Sequence, residues 1–168
     1  TLPASYAFMT ENLGFTTLTN DDMTAAGALA LGGLSKGVTT REMAAAYASF
    51  ARGGIYTTPR TYTEVRDHNG NVILENKTES HAAMKESTAY AMNELLKNVV
   101  RSGTGTGANF SGMTIAGKTG STNSNNDRYF VGYTPYYTAA VWVGYDTPTR
   151  IVASGNPAAT LWKTFMSK

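Results

Sequence analysis

The sequence predicts an α+β domain built around an antiparallel sheet. Residues 113–145 hold three apolar segments of strand character, separated by polar or proline-containing turns. Upstream lie two stretches with the 3.6-residue apolar spacing of helices, and a third such stretch closes the chain. A length of 168 residues suffices for one domain with a single sizeable core, whereas two halves would each be marginal.

Residues 3–12 suit a short helix, with Pro3 in its first turn and Gly14 as the stop. The TTLTNDD run that follows reads as a loop. A firmer helix spans residues 40–52: Thr39 and Glu42 form a capping box, Met43, Tyr47 and Phe50 share a face, and Gly53-Gly54 ends it. In residues 61–77, Tyr62, Glu64 and Arg66 alternate with Thr61, Thr63 and Val65, and Asn69-Gly70 supplies the turn of a partly exposed hairpin. Across 85–101, Tyr90, Met92, Leu95, Leu96, Val99 and Val100 fall at helical spacing and Gly103 terminates the pattern, predicting a core-facing helix.

The run SGTGTG at 102–107 reads as a helix stop and loop. Strands are expected at 113–116 running into Lys118, at 129–134 and at 137–145, forming a meander. Asn156-Pro157 then offers an N-cap and a helix-starting proline before an apolar face of Leu161, Trp162, Phe165 and Met166. Tyr129, Phe130, Trp142 and Trp162 read as core packing.

Bulk properties exclude several function classes. A formal charge of +2 without any dense Lys/Arg run leaves no electrostatic footprint for nucleic acid. The absence of Cys removes thiol nucleophiles, cysteine-ligated zinc and disulfides. His68 and His81, the only histidines, sit in polar segments typical of a surface, and no metal or cofactor is implied. No apolar run approaches the roughly 20 residues of a membrane span.

One stretch, SGMTIAGKTGSTNS, reads in two frames. Gly112 to Thr119 satisfies the phosphate-loop pattern GxxxxGKS/T, whereas Lys118-Thr119-Gly120 spells KTG, a strand motif of enzymes that acylate a serine with penicillin-like substrates. A phosphate loop needs a glycine-rich turn opening a helix, so that backbone N–H groups and the helix dipole meet the phosphates. Met, Thr, Ile and Ala fill the pattern here, and the Gly/Ser/Asn-rich run at 120–127 leads into another strand. That context favours KTG.

Other segments extend the match. LALGGLSKGVTTREMAAAYASFARGGIYTTP, SGTGTG, AGKTGST, DRYFVGYTPYYTAAVWVGYD and a Trp-containing terminal helix follow in order. From about residue 29 onward the chain resembles the C-terminal part of the transpeptidase domain of penicillin-binding proteins, most closely the bifunctional class A group. The resemblance implies an antiparallel sheet flanked by helices, an α/β sandwich of the penicillin-binding and serine β-lactamase type, with the KTG strand bordering the cleft. It implies a serine acyl transfer that cross-links peptidoglycan stem peptides ending in D-Ala-D-Ala, inhibited by β-lactams, on the outer face of the bacterial membrane with an anchor expected upstream.

By the same resemblance Lys118 and Ser121 are catalytic, and Thr119, Gly120, Ser121 and Thr122 bind substrate. Thr119 and Ser121 hydroxyls would hold the terminal carboxylate, and Lys118 would bring positive charge and a hydrogen bond. The Ser121 N–H would be half of an oxyanion hole, where one preorganised donor is worth roughly 3 kcal/mol. Gly120 would let the substrate backbone approach. Tyr129 stands where the family commonly has Trp.

The family's attacking serine lies in an SxxK motif, followed by SxN, both upstream of KTG. No SxxK occurs here, and Ser121-Thr122-Asn123 spells SxN only on top of KTG, where the true motif cannot be. The chain is therefore expected to be the downstream part of a single transpeptidase domain over residues 1–168, and not to be acylated alone. An upstream segment or companion fragment carrying SxxK and SxN would complete it. The alternatives are a nucleotide-binding domain, marked by ATP affinity that depends on Lys118, and a non-catalytic relative that binds wall peptides.

Overall fold

The computed structural model describes all 168 residues. Helix α1 (Leu2–Ala7) carries Pro3 in its first turn and widens into a π-helical turn at Phe8–Asn12. The run expected to be a loop ends in the first turn of α2 (Asn20–Thr24), which α3 (Ala26–Leu31) follows. Asp22 creates that helix. Its Oδ2 accepts from the Thr19 N–H at 2.8 Å and the Thr19 hydroxyl at 3.1 Å, while Oδ1 accepts from the Ser35 N–H at 2.7 Å and the Ser35 hydroxyl at 2.9 Å. One buried carboxylate thus caps α2 and ties it to the loop after α3.

The backbone N–H groups of Ser35 and Thr19 hold the Asp22 carboxyl down at about 2, below its ordinary 3.8. A depressed native pKa makes a contribution that is complete above the unfolded value and lost as pH falls through the folded one. Asp22→Asn is accordingly expected to lower the melting temperature at pH 7. That gap should shrink between pH 4 and pH 2, as melting curves of both proteins across this range would reveal.

Helix α4 (Thr40–Ala51) begins at the expected capping box, with Glu42 reaching back to Thr39. Glu42 is buried and also accepts from the Thr16 N–H at 3.0 Å and the Thr16 hydroxyl at 2.6 Å. Burial works to raise its pKa, yet the bonds from Thr16 and Thr39 outweigh that and the net direction is downward. Gly54, at φ +93°, ends the helix, and a Cβ there would lie 2.3 Å from the Met84 carbonyl oxygen.

Strand β1 (Ile55–Thr57) leads to the expected hairpin of β2 (Glu64–Arg66) and β3 (Val72–Glu75), which is exposed along its whole length. Strand β4 (Ser80–Ala82) returns to pair antiparallel with β1, Thr57 opposite Ser80. Helix α5 (Glu86–Ser102) comes next, then a 3₁₀ turn at Thr106–Ala108. Strands β5 (Ala116–Ser121), β6 (Arg128–Tyr133) and β7 (Thr138–Val143) form the antiparallel meander in the order β5-β6-β7. Residues 113–115, expected in the first strand, lie ahead of it. Helix α6 (Pro157–Met166) closes the chain, with Asn156 Oδ1 accepting from Ala158 N–H.

Helix α6 covers one face of the meander and α4 the other, while α5 runs beside β5 and reaches both. Along β6, Phe130 points to the α6 side and packs with Trp162, Val100 and Ile115. Tyr133 points to the α4 side with Leu96, Tyr47 and Phe50. A third apolar cluster, Leu13, Phe15, Leu18, Leu29, Ala46, Tyr56 and Ala83, joins the N-terminal helices to α4. The expected single core is therefore divided into three, because α4 and the sheet each present apolar groups on two sides.

Helical spacing misidentified some core residues. Tyr90 and Leu95 on α5, and Leu161 and Phe165 on α6, are between 47% and 66% exposed, while Ala89 and Ala158, too small to register in an apolar pattern, are fully buried. Trp142 is 43% exposed and donates to Asp127 Oδ1 at 3.0 Å, so it clamps a turn rather than filling the core.

Candidate active site

Strand β5 pairs on one side only. Its register on β6 sets Lys118 opposite Val131, Thr119 opposite Phe130, Gly120 opposite Tyr129 and Ser121 opposite Arg128. Side chains alternate across a strand, so Lys118 and Gly120 share the α4 face and Thr119 and Ser121 the α6 face. Backbone groups alternate within the sheet plane. The Thr122 N–H donates towards β6, to the Asp127 carbonyl at 3.2 Å, which turns the Thr119 and Ser121 amides to the unpaired edge.

Side-chain contacts agree with that direction. Lys118 is exposed, and its Nζ curls round the strand to donate to the Thr119 carbonyl at 2.9 Å. Thr119 exchanges a hydrogen bond with the Thr104 hydroxyl at 2.7 Å, and Ser121 Oγ accepts from Arg128 Nη1 at 3.0 Å. Thr122 Oγ1 accepts from the Asp127 N–H at 3.0 Å, closing the β5–β6 turn. Thr122 thus has a structural duty beside its expected place in substrate binding. A Cβ on Gly120 would lie 3.1 Å from the Tyr129 Cβ and meet no other atom within 4 Å.

The rim thereby collects two cations, Lys118 and Arg128, with the hydroxyls of Thr104, Thr119 and Ser121, and no carboxylate pairs with either cation. Such a set suits an anionic group, above all a carboxylate. Beneath it, Tyr129 is kept neutral: burial first, and the Glu42 charge second, push its hydroxyl up to about 12. Two open concavities lie elsewhere, one of about 430 Å³ lined by apolar residues including Leu2, Phe8 and Leu29, the other of about 480 Å³ lined by polar residues including Glu11, Arg41 and His81. The β5 rim is an open shelf.

A phosphate loop would require a helix springing from Lys118. The strand instead runs through Ser121 into a turn and then β6, so the nucleotide-binding alternative has no structural support.

The Penicillin binding protein transpeptidase domain matches residues 6–167. The chain belongs to the penicillin-binding protein transpeptidase family. Penicillin-binding protein 1A of Clostridium acetobutylicum is 44% identical over 151 residues, covering 89% of this chain and 18% of that protein. The chain thus spans under a fifth of the length of this relative. Among solved structures, PonA1 of Mycobacterium tuberculosis in complex with penicillin V has a TM-score of 0.76 at 26% identity, over 95% of this chain and 48% of that one. The D,D-transpeptidase domain of a peptidoglycan glycosyltransferase from Eggerthella lenta shares the fold, with a TM-score of 0.72 at 21% identity, over 98% of this chain and 46% of that one.

Within this transpeptidase fold all five expected site residues, Lys118, Thr119, Gly120, Ser121 and Thr122, fall on the edge strand β5 or directly beyond its C-terminal end. Two neighbours escaped the sequence reading. Thr104 sits in SGTGTG, a segment of the family match read mainly as a helix stop and loop, with ligand binding as the lesser reading. Arg128 could have been found by counting: once Thr122 and Asp127 close the turn, the next residue out on each side must face the other.

Proposed function

We propose that the chain is the C-terminal part of a single transpeptidase domain and forms the KTG-bearing wall of a D,D-transpeptidase site. The observation that carries this is the unpaired β5 edge, with outward amides at Thr119 and Ser121, flanked by Lys118 and by hydroxyls suited to a carboxylate. The substrate is a peptidoglycan stem peptide ending in D-Ala-D-Ala, and β-lactams compete for the same rim. A serine Oγ supplied by an SxxK segment outside these residues attacks the penultimate carbonyl. The new O–C bond forms as the C–N bond breaks, and the departing D-alanine carries away the serine's proton. An acceptor amine then attacks the ester, the new N–C bond forming as the serine O–C bond breaks, and the amine's proton returns to the serine oxygen.

In that reaction Lys118 places a positive charge and a hydrogen bond beside the proton transfer. The Ser121 N–H donates to the developing oxyanion, Thr119 and Ser121 hydroxyls bind the terminal carboxylate, and Thr122 holds the turn that aligns them. The open shelf supports a second wall, bearing SxxK and SxN, contributed by the rest of the protein or by a companion fragment. The site works outside the cytoplasmic membrane, where peptidoglycan is assembled.

Fluorescent penicillin tests both halves of the proposal. The complete protein is expected to be labelled covalently and residues 1–168 alone are not. Labelling of the isolated stretch, or none of the complete protein, would refute the assignment.

A further inference from the structure

We propose that Arg128 is a specificity-determining residue, adding a guanidinium to the hydroxyls that receive the substrate's terminal carboxylate. The proposal rests on the transpeptidase reading of the β5 rim and deepens it. Arg128 opens β6 directly opposite Ser121, on the face that also carries Thr119. Its Nη1 donates to Ser121 Oγ at 3.0 Å, its Nε is buried without an acceptor, and its Nη2 has no partner in the protein.

A structural arginine in this position would be expected to meet a carboxylate. None of the ion pairs involves Arg128, and the adjacent Asp127 already has Oδ1 engaged by the Trp142 indole. The guanidinium is instead held against a neutral hydroxyl, with its fork of N–H groups only partly used. Arginine's planar fork matches a carboxylate better than any other side chain does. A carboxylate accepting from Thr119 and Ser121 would come within reach of the Arg128 Nη atoms, because Ser121 Oγ bonds directly to one of them. Arg128 also draws on the Ser121 Oγ lone pair, which leaves that hydroxyl's own proton free to point at the ligand.

The test uses the complete protein and two thioester stem-peptide mimics, alike except that one ends in a free carboxylate and the other in its amide. Thiol release gives the acylation rate for each. Arg128→Ala is expected to lower the specificity constant for the carboxylate mimic roughly ten- to a hundredfold. The rate with the amide mimic should stay within about twofold of the unsubstituted protein, a change too small to signal a lost charged bond. Arg128→Lys should recover part of the loss. It also carries the comparison if the alanine variant fails to fold.

Equal losses on both mimics would mean that Arg128 only supports the strand, and unchanged rates would mean that it plays no part. Either result overturns the proposal while leaving the transpeptidase reading intact. A complete protein that neither releases thiol nor takes up fluorescent penicillin would overturn that reading and the role of Arg128 together.

Discussion

Replacing Lys118 with alanine in the complete protein is expected to slow acylation by a penicillin roughly 10²- to 10⁴-fold, the range for removing a group that acts in proton transfer. The melting temperature should move by no more than about 2 °C, since surface substitutions away from packed or paired groups change stability little. Both expectations follow from the surroundings of the side chain. Lys118 is exposed, bonds only to the carbonyl of its own neighbour at 2.9 Å, and has no carboxylate partner, so the fold gains little from it. In the proposed reaction, substrate covering the shelf would strip water from the same ammonium and set it beside the reacting atoms, where a fixed charge counts for far more. Lys118→Arg keeps the charge but alters its shape and proton affinity, and should recover only a small part of the rate. Stopped-flow acylation alongside melting curves separates the two effects, and a large loss of stability with Lys118→Ala would assign the residue to the fold instead.

Trp162→Ala is expected to cost about 3–5 kcal/mol of stability, the range for truncating a large buried aromatic. Trp162 is completely buried, meets Phe130 edge-on at a centroid distance of 5.2 Å, and lies 6.4 Å from the Phe110 ring. Its Nε1 donates to the Ala139 carbonyl at 3.1 Å, joining α6 to β7 as well as packing on β6. The substitution opens a cavity and leaves the carbonyl without that donor. Trp162→Phe keeps most of the volume and loses only the bond, so it should cost about 1–3 kcal/mol. Denaturant titrations of the two variants would rank them, and an alanine variant no weaker than the phenylalanine one would show that α6 can settle into the gap.

Strong local signals carried most of the fold. The capping box at Thr39 and Glu42, the proline and asparagine ahead of α6, and the apolar segments between turns each encode an element within a dozen residues. What escaped was non-local. Strands β1 and β4 are three residues each, far apart in sequence, and exist because Thr57 and Ser80 meet across the hairpin between them. Helix α2 begins with Thr-x-x-Asp, a weaker cap than Thr-x-x-Glu, and it depends on Ser35, thirteen positions beyond Asp22. In the candidate site, KTG and its strand were readable from order and context. The part played by Thr104 was not, since its hydroxyl meets Thr119 only after α5 has turned back against β5.

The hairpin of β2 and β3 hangs from the rest of the molecule by its two stems, and its strands pack on little besides each other. Where those stems leave the body, the Thr57 and Ser80 hydroxyls already touch at 2.7 Å. Residues 58–79 can therefore be lengthened, shortened or exchanged for a foreign module with little distortion reaching Lys118. Variation in chain length between relatives should accumulate there, and a reporter spliced into that site should leave the β5-β6-β7 meander intact.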